Sequence, residues 1–504
     1  MIQNKENDID MKDCESKAHI LTVPVLELFE ICDTSDPDGQ QINLEINDEQ
    51  YTYTHKLLDV PFTRTRYREL YRWNNFPCVI NADGTPWINA NLYLLNQAES
   101  VESSDLKTIE SKALNLAAFK RFLDEYEIDY LSTPKRKRER PTYAFRDWLQ
   151  DQVDLGEISQ TTARGRISHL KSFYTWLVNE GEYQLPDSNY LWISNDLIIS
   201  YKDGKGFVRG KQTKTSDLKI KAARSTHGMH AAVNDGRELQ PTIEDGGKLK
   251  PLFALEQDTM IEMLFEIKNT LWTLVFLLAL FTGARKQTIL TLQVKHVRAK
   301  LSDSIDLVRI PVGPGTGVDT KGNKQSTILI PRWLYERLRI YSYSEVATER
   351  CKKAGDDSDE QYLFLSNRAK PLYESKAKTM KFEPNATRSS KPRGTALNQF
   401  MNETLLPLMR KKLNQPQFHF QFHDLRATCG MNALEEQMIK VAKGEKTLTE
   451  ALRFVQKLLD HAHLSTTERY LSYRHEYEEV RNLQKQHEGY LKEITDKAMS
   501  GFYE

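Results

Sequence analysis

The stretch LLDHAHLSTTERYL at residues 458–471 places two histidines and a tyrosine within one short segment. Upstream, basic side chains recur in three segments: FTGARKQTIL with Arg285, DTKGNKQSTILIP with Lys321, and FHDLRAT with His423 and Arg426. Guanidinium and ammonium groups bind phosphate oxygens, imidazole exchanges protons near neutral pH, and a phenol can act as a nucleophile. Together these residue types suit chemistry on an anionic phosphate.

The order and spacing of these segments resemble the tyrosine recombinase family, also called phage integrases. The catalytic set of that family is Arg, Lys, His-x-x-Arg, His and a nucleophilic Tyr. The resemblance covers residues from about 245 to 475, and more loosely a helical segment at about 105–185. It implies a multidomain, mainly α fold. It also implies a small β-sheet or hairpin in the catalytic domain, and we expect a helical SAM-like core-binding domain and an extra N-terminal region besides.

The resemblance assigns a role to each member of the set. The matching residues are Arg285, Lys321, His423, Arg426, His461 and Tyr470. The arginines would stabilise charge that grows on the phosphate oxygens, and Tyr470 would attack phosphorus. His423 would be the general base, His461 would donate a hydrogen bond to a phosphate oxygen, and Lys321 would protonate the 5′ oxygen.

Nearby residues of the same types are alternatives. Lys324 is the nearest rival of Lys321. Tyr473 is a rival nucleophile, although neither it nor His463 stands at the spacing at which the family has its catalytic residues. The alternative role of Tyr473 is packing within a helix.

Two positions depart from the family's pattern. Asp460 replaces the glycine of a Leu-Gly-His triplet, and Thr288 stands where the family usually has an acidic residue. In the same region Ser465 and Glu468 form an S-x-x-E capping box, which predicts a helix start and puts Tyr470 in the second turn.

Three patterns predict how the site is held. The apolar run at 271–281 predicts a buried helix that ends at Gly283 and places Arg285 in the first turn of the next helix. The runs IDLVRIPV and STILIP predict a hairpin with Lys321 at its tip. His423 and Arg426 are three residues apart at a predicted helix start, so they should project from one face.

Composition, together with the resemblance, predicts four segments along the chain. Residues 1–100 form an acidic α/β region of unknown role, with 8 Lys and Arg against 17 Asp and Glu. Residues 101–186 form the helical core-binding domain, and 187–248 form a basic arm and linker. Residues 249–504 form the catalytic domain with a helical C-terminal tail.

Basic side chains on one helix and along the arm are predicted to bind DNA, because neutralised phosphates release counterions. They are Arg164, Arg166, Lys171, Lys205, Arg209, Lys211 and Lys214. The loop KRKRER at 135–140 adds to the basic surface. The alternative is that these side chains are only solvated.

Other protein classes fit poorly. The longest apolar run has eleven residues, whereas a membrane helix needs about twenty. The polar N terminus lacks the pattern of a secretory signal and the five cysteines are scattered, so we expect a cytoplasmic protein. We expect no cofactor and no metal, because no nucleotide-binding glycine loop is present and no third ligand follows His419 and His423. His419 is interpreted as a packing position.

The resemblance implies a site-specific DNA recombinase of a mobile element that acts through a 3′-phosphotyrosyl intermediate. Expected partners are double-stranded DNA, further copies of the chain in a tetramer, and possible accessory proteins, but no membrane. The tail after Tyr470 would dock on a neighbouring protomer or pack on its own domain. Alternatives are a topoisomerase-like or telomere-resolving enzyme, a non-catalytic DNA-binding regulator, and a metal-dependent nuclease.

Overall fold

The computed structural model describes residues 17–37, 39–46, 49–57, 72–99, 106–181, 183, 191–202, 208–223, 242–302, 304–376, 378 and 392–476. Two compact units form among them, the first from the residues up to 223 and the second from residue 242 onward. Both are rich in helices and contain small antiparallel sheets. Within these ranges no helix combines the length and hydropathy that a membrane span requires.

The first unit combines two small sheets, a hairpin and four α-helices within its described part. The strands are β1 (His19–Glu27), β2 (Phe29–Ile31), β3 (Gln40–Ile46), β4 (Glu49–Leu57), β5 (Arg72–Ile80), β6 (Ser194–Lys202) and β7 (Val208–Ser216). The helices are α1 (Ile88–Glu99), α2 (Leu106–Glu125), α3 (Pro141–Asp154) and α4 (Gln160–Asn179). Strands β1 and β5 pair, β4 lies between β2 and β3, and β6 pairs with β7.

Helix α4 shows how the sequence sets these bounds. The hydroxyl of Ser159 accepts a hydrogen bond from the Thr162 amide and so caps the helix. The apolar positions Ile167, Leu170 and Phe173, at three- and four-residue spacing, form its buried face.

One hydrophobic cluster joins the N-terminal strands to the helices of the first unit. Phe76 of β5 and Trp87 belong to the same cluster as Phe119 of α2 and Phe173 of α4. Residue 100, the predicted end of the acidic region, therefore does not separate two hydrophobic cores. The buried face of α2 stops before Tyr126, which lies beyond the last helical residue and is 52% exposed.

The second unit surrounds a larger apolar core. Its strands are β8 (Ile243–Glu244), β9 (Lys248–Leu249), β10 (Leu307–Val312) and β11 (Ser326–Pro331). Its helices are α5 (Ala254–Glu266), α6 (Thr270–Thr282), α7 (Lys286–Leu290), α8 (Arg332–Ser342), α9 (Glu345–Lys353), α10 (Thr395–Phe400), α11 (Leu406–Leu413), α12 (Asp424–Ala442), α13 (Leu448–Leu459) and α14 at 464–476. A π-helical turn at Met401–Leu405 connects α10 to α11.

Helix α6 forms the centre of this core. It is apolar on nearly all sides, which explains why its side chains are buried almost throughout. Gly283 caps it with a left-handed backbone (φ 63°), as the sequence predicts, and a Cβ there would overlap the side chain of Leu459. The glycine therefore lets α6 end directly against α13.

Two local predictions need correction. Helix α7 has only five residues and Arg285 is its N-cap, one position before the first turn in which it was predicted to lie. Helix α14 begins at residue 464, so Ser465 and Glu468 lie inside it instead of capping it. Tyr470 still lies in the second turn.

Candidate active site

The Arg426 guanidinium is fixed by three different parts of the second unit. It projects from the first turn of α12 and is 3% exposed. Its Nε donates to the carboxylate of Asp245 (2.6 Å), and its two terminal nitrogens donate to the carbonyls of Gly283 (2.8 Å) and Leu459 (2.5 Å). The end of α6, the end of α13 and the β8–β9 hairpin thus meet at one buried cation.

Asp245 is the functional residue that the sequence analysis missed. It follows β8 and its side chain is 5% exposed. Its Oδ2 accepts hydrogen bonds from Arg426, from His461 Nε2 (3.0 Å) and from the Tyr470 hydroxyl (3.2 Å), and its Oδ1 lies 3.7 Å from Arg285. Four of the six predicted catalytic side chains therefore converge on one carboxylate.

Electrostatics keep this carboxylate ionised. Burial alone would raise the pKa of Asp245, but the hydrogen bond from His461 and the positive charge of Arg426 outweigh it. The pKa of Asp245 is held well below its usual range as a result. The centre of the pocket is thus a stable anion site.

The segment around Asp245 carried a signal that the sequence analysis did not use. The sequence IEDGGKL has two apolar ends around Asp-Gly, a pattern typical of a β-hairpin turn. The structure has this hairpin, with Ile243 opposite Leu249. The pattern could predict the hairpin, but not its place between Arg426 and Tyr470.

Arg285 lies at the edge of the same pocket and is 30% exposed. Burial and the neighbouring charge of Arg426 lower its pKa. Thr288, which replaces the acidic residue of the family's pattern, is buried and donates its hydroxyl to the carbonyl of Asp319 (2.9 Å). It therefore connects α7 to the loop after β10 instead of pairing with a cation.

Tyr470 is buried, and its hydroxyl donates to the carboxylate of Asp245. A Cβ at Gly430 of α12 would lie 2.5 Å from Cε1 of the Tyr470 ring, so the glycine is needed for this close approach. Burial and the charge of Asp245 raise the pKa of Tyr470 above its ordinary value of 10. The phenol is therefore neutral in this structure.

His461 is buried between the pocket and the start of α14. Its Nδ1 is hydrogen-bonded to the Thr467 hydroxyl (2.9 Å), so Nε2 is the nitrogen that faces Asp245. The preceding residue, Asp460, has a left-handed backbone (φ 52°) at the end of α13. Aspartate tolerates that conformation better than most residues, which explains how it can replace the family's glycine.

His423 is the N-cap of α12, three residues before Arg426, and both reach Asp245 as the spacing predicted. Its Nε2 donates to the backbone carbonyl of Asp245 (3.3 Å). Burial, followed by the charge of Arg426, lowers the pKa of His423. The ring is therefore neutral near pH 7 and able to accept a proton.

Lys321 and Lys324 lie on the connection between β10 and β11, as predicted. The ammonium of Lys324 is paired with Asp460 (2.7 Å), whereas that of Lys321 has no partner among the described residues. A Cβ at Gly246 would be 3.4 Å from Lys321 Nζ, so this ammonium borders the pocket. The geometry favours Lys321 over its rival.

The remaining candidates lie away from this convergence. Tyr473 is buried in the same small apolar cluster as Tyr470, which agrees with a packing role. His463 is exposed. His419 is also exposed, so its interpretation as a packing position was wrong. Among the described residues no group of three or more His, Cys, Asp or Glu could hold a metal ion.

The predicted DNA-binding residues on α4 differ in their surroundings. Arg164 is exposed, and Lys171 donates to the Ser216 hydroxyl (3.3 Å). Arg166 is half-buried beside Arg121 in a cavity of about 800 Å³, and burial lowers its pKa. Arg164, which also donates a hydrogen bond to the carbonyl of Ile220 (3.5 Å), is thus the most exposed of these three.

The predicted basic arm and linker contains a pair of β-strands. Strands β6 and β7 pair antiparallel, with Leu197 opposite Thr213. Arg209, Lys211 and Lys214 lie in β7, but their side chains, and all of Lys205, lie outside the described residues.

Four of the six catalytic candidates line a cleft of about 300 Å³ together with Asp245, whereas Tyr470 and His423 lie behind Asp245 and do not line it. Arg285, Arg426 and Lys321 give it positive charge, and His461 adds a buried donor. An anionic oxygen at the position of the Asp245 carboxylate would meet two guanidiniums, an imidazole and a phenol. This arrangement can bind a phosphate and present a nucleophile to it.

Comparisons with known proteins agree with this description. Residues 255–477 match the model of the phage integrase family, so the second unit contains a domain of that family and the resemblance is confirmed. No curated protein matches the chain. Similar solved structures include the Tn1549 transposon integrase in complex with transposon right end DNA, at 13% identity over 76% of this chain and 94% of that one, with a TM-score of 0.39. Another is the same integrase with circular intermediate DNA, at 10% identity, the same coverages and a TM-score of 0.37.

Proposed function

We propose that this protein is a site-specific DNA recombinase of a mobile genetic element, which cuts and rejoins DNA through Tyr470. One observation carries the proposal within the phage integrase domain. The Tyr470 hydroxyl, Arg426 and His461 Nε2 all bind one anionic oxygen, with Arg285 beside them. A phenol and fixed cations around an anion are what attack on a phosphodiester requires.

The first half-reaction follows from these positions. The Tyr470 oxygen attacks phosphorus, a bond forms between them, and the bond from phosphorus to the 5′ oxygen breaks. His423 takes the phenol proton, because its lowered pKa leaves it neutral, and Lys321 gives a proton to the departing oxygen. Arg285 and Arg426 stabilise the added negative charge.

The product is a 3′-phosphotyrosine and a free 5′-hydroxyl. The phosphodiester energy is kept in the new bond, so rejoining needs neither nucleotide nor metal. When a 5′-hydroxyl from another duplex attacks, the same groups act in reverse and the strands are exchanged. We assign further DNA contacts to the helices of the first unit and, for strand exchange, propose a tetramer.

A trapping experiment tests the role of Tyr470. Nicked duplexes with candidate element ends release a short fragment after cleavage, so the protein stays covalently attached to the DNA. The wild-type protein and Tyr473→Phe should give a slowly migrating adduct on denaturing gels, whereas Tyr470→Phe should give none. An adduct that persists in Tyr470→Phe would contradict the proposal. Tyr473→Phe is a matched control because both tyrosines are buried on α14.

A further inference from the structure

The carboxylate of Asp245 accepts hydrogen bonds from the same groups that would bind a DNA phosphate. Arg426 Nε and His461 Nε2 both donate to its Oδ2, at 2.6 and 3.0 Å. The other ring nitrogen of His461 is held by Thr467, so Nε2 is the one that could reach a phosphate. A carboxylate oxygen and a non-bridging phosphate oxygen are both anionic acceptors, so one can substitute for the other.

The same residue also engages the proposed nucleophile and its base. The Tyr470 hydroxyl donates to the Asp245 carboxylate, and His423 Nε2 donates to the Asp245 backbone carbonyl. The Tyr470 hydroxyl is therefore held by the carboxylate of Asp245, and His423 is held beside it by the backbone of the same residue. Gly246, the next residue, lies against Lys321 and His423.

The position of Asp245 is fixed by its own hairpin. Its amide donates to the carbonyl of Gly247 (3.1 Å), and Ile243, two residues earlier, is fully buried. Arg469, next to Tyr470 on α14, donates to the carbonyl of Glu244 (2.7 Å). The hairpin is therefore attached to the helix that carries the nucleophile.

We infer that Asp245 is an internal substitute for the scissile phosphate: it fills the anion site in the free protein and must leave before a DNA phosphate can bind. The inference rests on the proposed function, since that function makes this pocket the phosphate site. Two anions cannot share the donors of Arg426 and His461, because like charges at such distances repel strongly. DNA would displace the carboxylate while the backbone of the hairpin stays in place, and only then would the Tyr470 hydroxyl face the reacting phosphate.

Sulfate, a tetrahedral anion, tests this exchange without DNA. Its affinity is measured by calorimetry for the full-length wild type, Asp245→Asn and Glu244→Gln. Asp245→Asn should bind sulfate at least about tenfold more tightly than the wild type, because a competing charge is gone. Glu244→Gln loses the same charge one residue away, but Glu244 pairs outside the pocket with exposed Arg469, so its affinity should equal that of the wild type. Equal or weaker sulfate binding by Asp245→Asn would overturn the inference.

A measurement on the wild type covers the case in which Asp245→Asn does not fold. Carbodiimide with glycine ethyl ester labels accessible carboxylates, and mass spectrometry reads each position. Sulfate should increase labelling of Asp245 severalfold and leave the exposed Glu244 unchanged. Labelling of Asp245 that stays low at saturating sulfate would overturn the inference.

These measurements are separate from the test of the proposed function. They use no DNA and no strand cleavage, so a failed sulfate exchange removes the role of Asp245 and leaves Tyr470 to its own test. An adduct that persists in Tyr470→Phe removes the proposed nucleophile, whereas the anion measurements still report on Asp245.

Discussion

The contacts of Arg426 explain why an arginine is required at this position. Its Nε and both terminal nitrogens each have a different acceptor, on Asp245, Gly283 and Leu459. A lysine ammonium could not reach all three with the same planar geometry. The side chain therefore binds the anion and also holds together the backbone that surrounds it.

The lowered pKa of His423 predicts the pH dependence of adduct formation. Burial and the charges of Arg426 and Arg285 lower this pKa, while Asp245 opposes the effect. The ring should therefore be neutral at and above the usual pKa of about 6.5. Adduct formation by the wild type should be constant from alkaline pH down to about 6.5, and should fall as the pH passes through the lowered pKa.

The free energy of unfolding should also decrease at low pH. A depressed pKa in the folded state means that the contribution of His423 to the free energy of unfolding is complete above about pH 6.5 and is lost at lower pH.

Exposed His463 offers the control for the pH dependence of adduct formation: His463→Gln should leave that dependence unchanged. A rate that already falls at pH values well above 6.5 would exclude His423 as the base.

The two hairpin lysines give a second prediction at the residue scale. Lys321→Ala should slow adduct formation by about 10²-fold or more, since general acid catalysis contributes at least that much. Lys324→Ala, which removes an ammonium already paired with Asp460, should have a much smaller effect. Both rates are measured in single turnover on the trapping duplex.

A sulfur leaving group separates a general acid from a structural lysine. A thiol leaves as the thiolate with little help from an acid, because its pKa is far lower than that of an alcohol. A duplex with sulfur in place of the 5′ oxygen should therefore restore most of the rate of Lys321→Ala. No restoration would mean that Lys321 has another role.

At the scale of elements, α12 and α14 approach each other through a glycine. A methyl group at Gly430 would meet the ring of Tyr470 and the side chain of Leu459 at less than 3 Å. Gly430→Ala should lower the free energy of unfolding by about 1–3 kcal/mol through overpacking, and should reduce adduct formation by displacing Tyr470. Denaturant unfolding and the trapping assay measure the two effects.

Gly165 in α4 is the matched control, since it is also a helical glycine but has no heavy atom within 4 Å of an added Cβ. Gly165→Ala should stabilise the protein by about 0.5–1 kcal/mol, because alanine favours the helix. If Gly430→Ala were equally stabilising, the close contact between α12 and Tyr470 would be wrong.

The elements also show how far the sequence could predict the site. Gly283, the β10–β11 hairpin and the start of α12 follow from local signals, so the positions of Lys321, His423 and Arg426 could be predicted. Asp245 could not, because its partners are between 40 and 225 residues away along the chain and no local pattern marks a buried carboxylate. Residues that belong to the family's motifs could therefore be identified from the sequence. Asp245 could not, because only its contacts in the folded protein define its role.

At the scale of the whole molecule, the sequence has no net charge, but its basic residues have different roles. Arg164 is exposed on α4, whereas Arg140 is 8% exposed and donates to the carbonyls of Pro134 and Lys135. The sequence KRKRER could not reveal that its last arginine is buried. The net charge therefore does not indicate which basic side chains are exposed enough to contact DNA.

The difference in exposure between Arg164 and Arg140 predicts how each affects the salt dependence of DNA binding. Arg164→Gln should reduce the slope of log affinity against log salt by about 0.9, the value for one phosphate contact. Arg140→Gln should leave the slope unchanged and instead destabilise the protein, because buried carbonyls lose their donor. Affinity for a duplex is measured over a series of salt concentrations. An unchanged slope for Arg164→Gln would mean that this side chain is only solvated.

Mapping the DNA-linked residue tests the central claim most directly. The wild-type adduct is trapped on a nicked duplex, digested with protease and nuclease, and sequenced by mass spectrometry. The nucleotide remnant should be attached to the Tyr470 side chain, in a peptide that also contains Tyr473. A remnant on Tyr473, or on a residue outside the pocket around Asp245 and Arg426, would contradict the account.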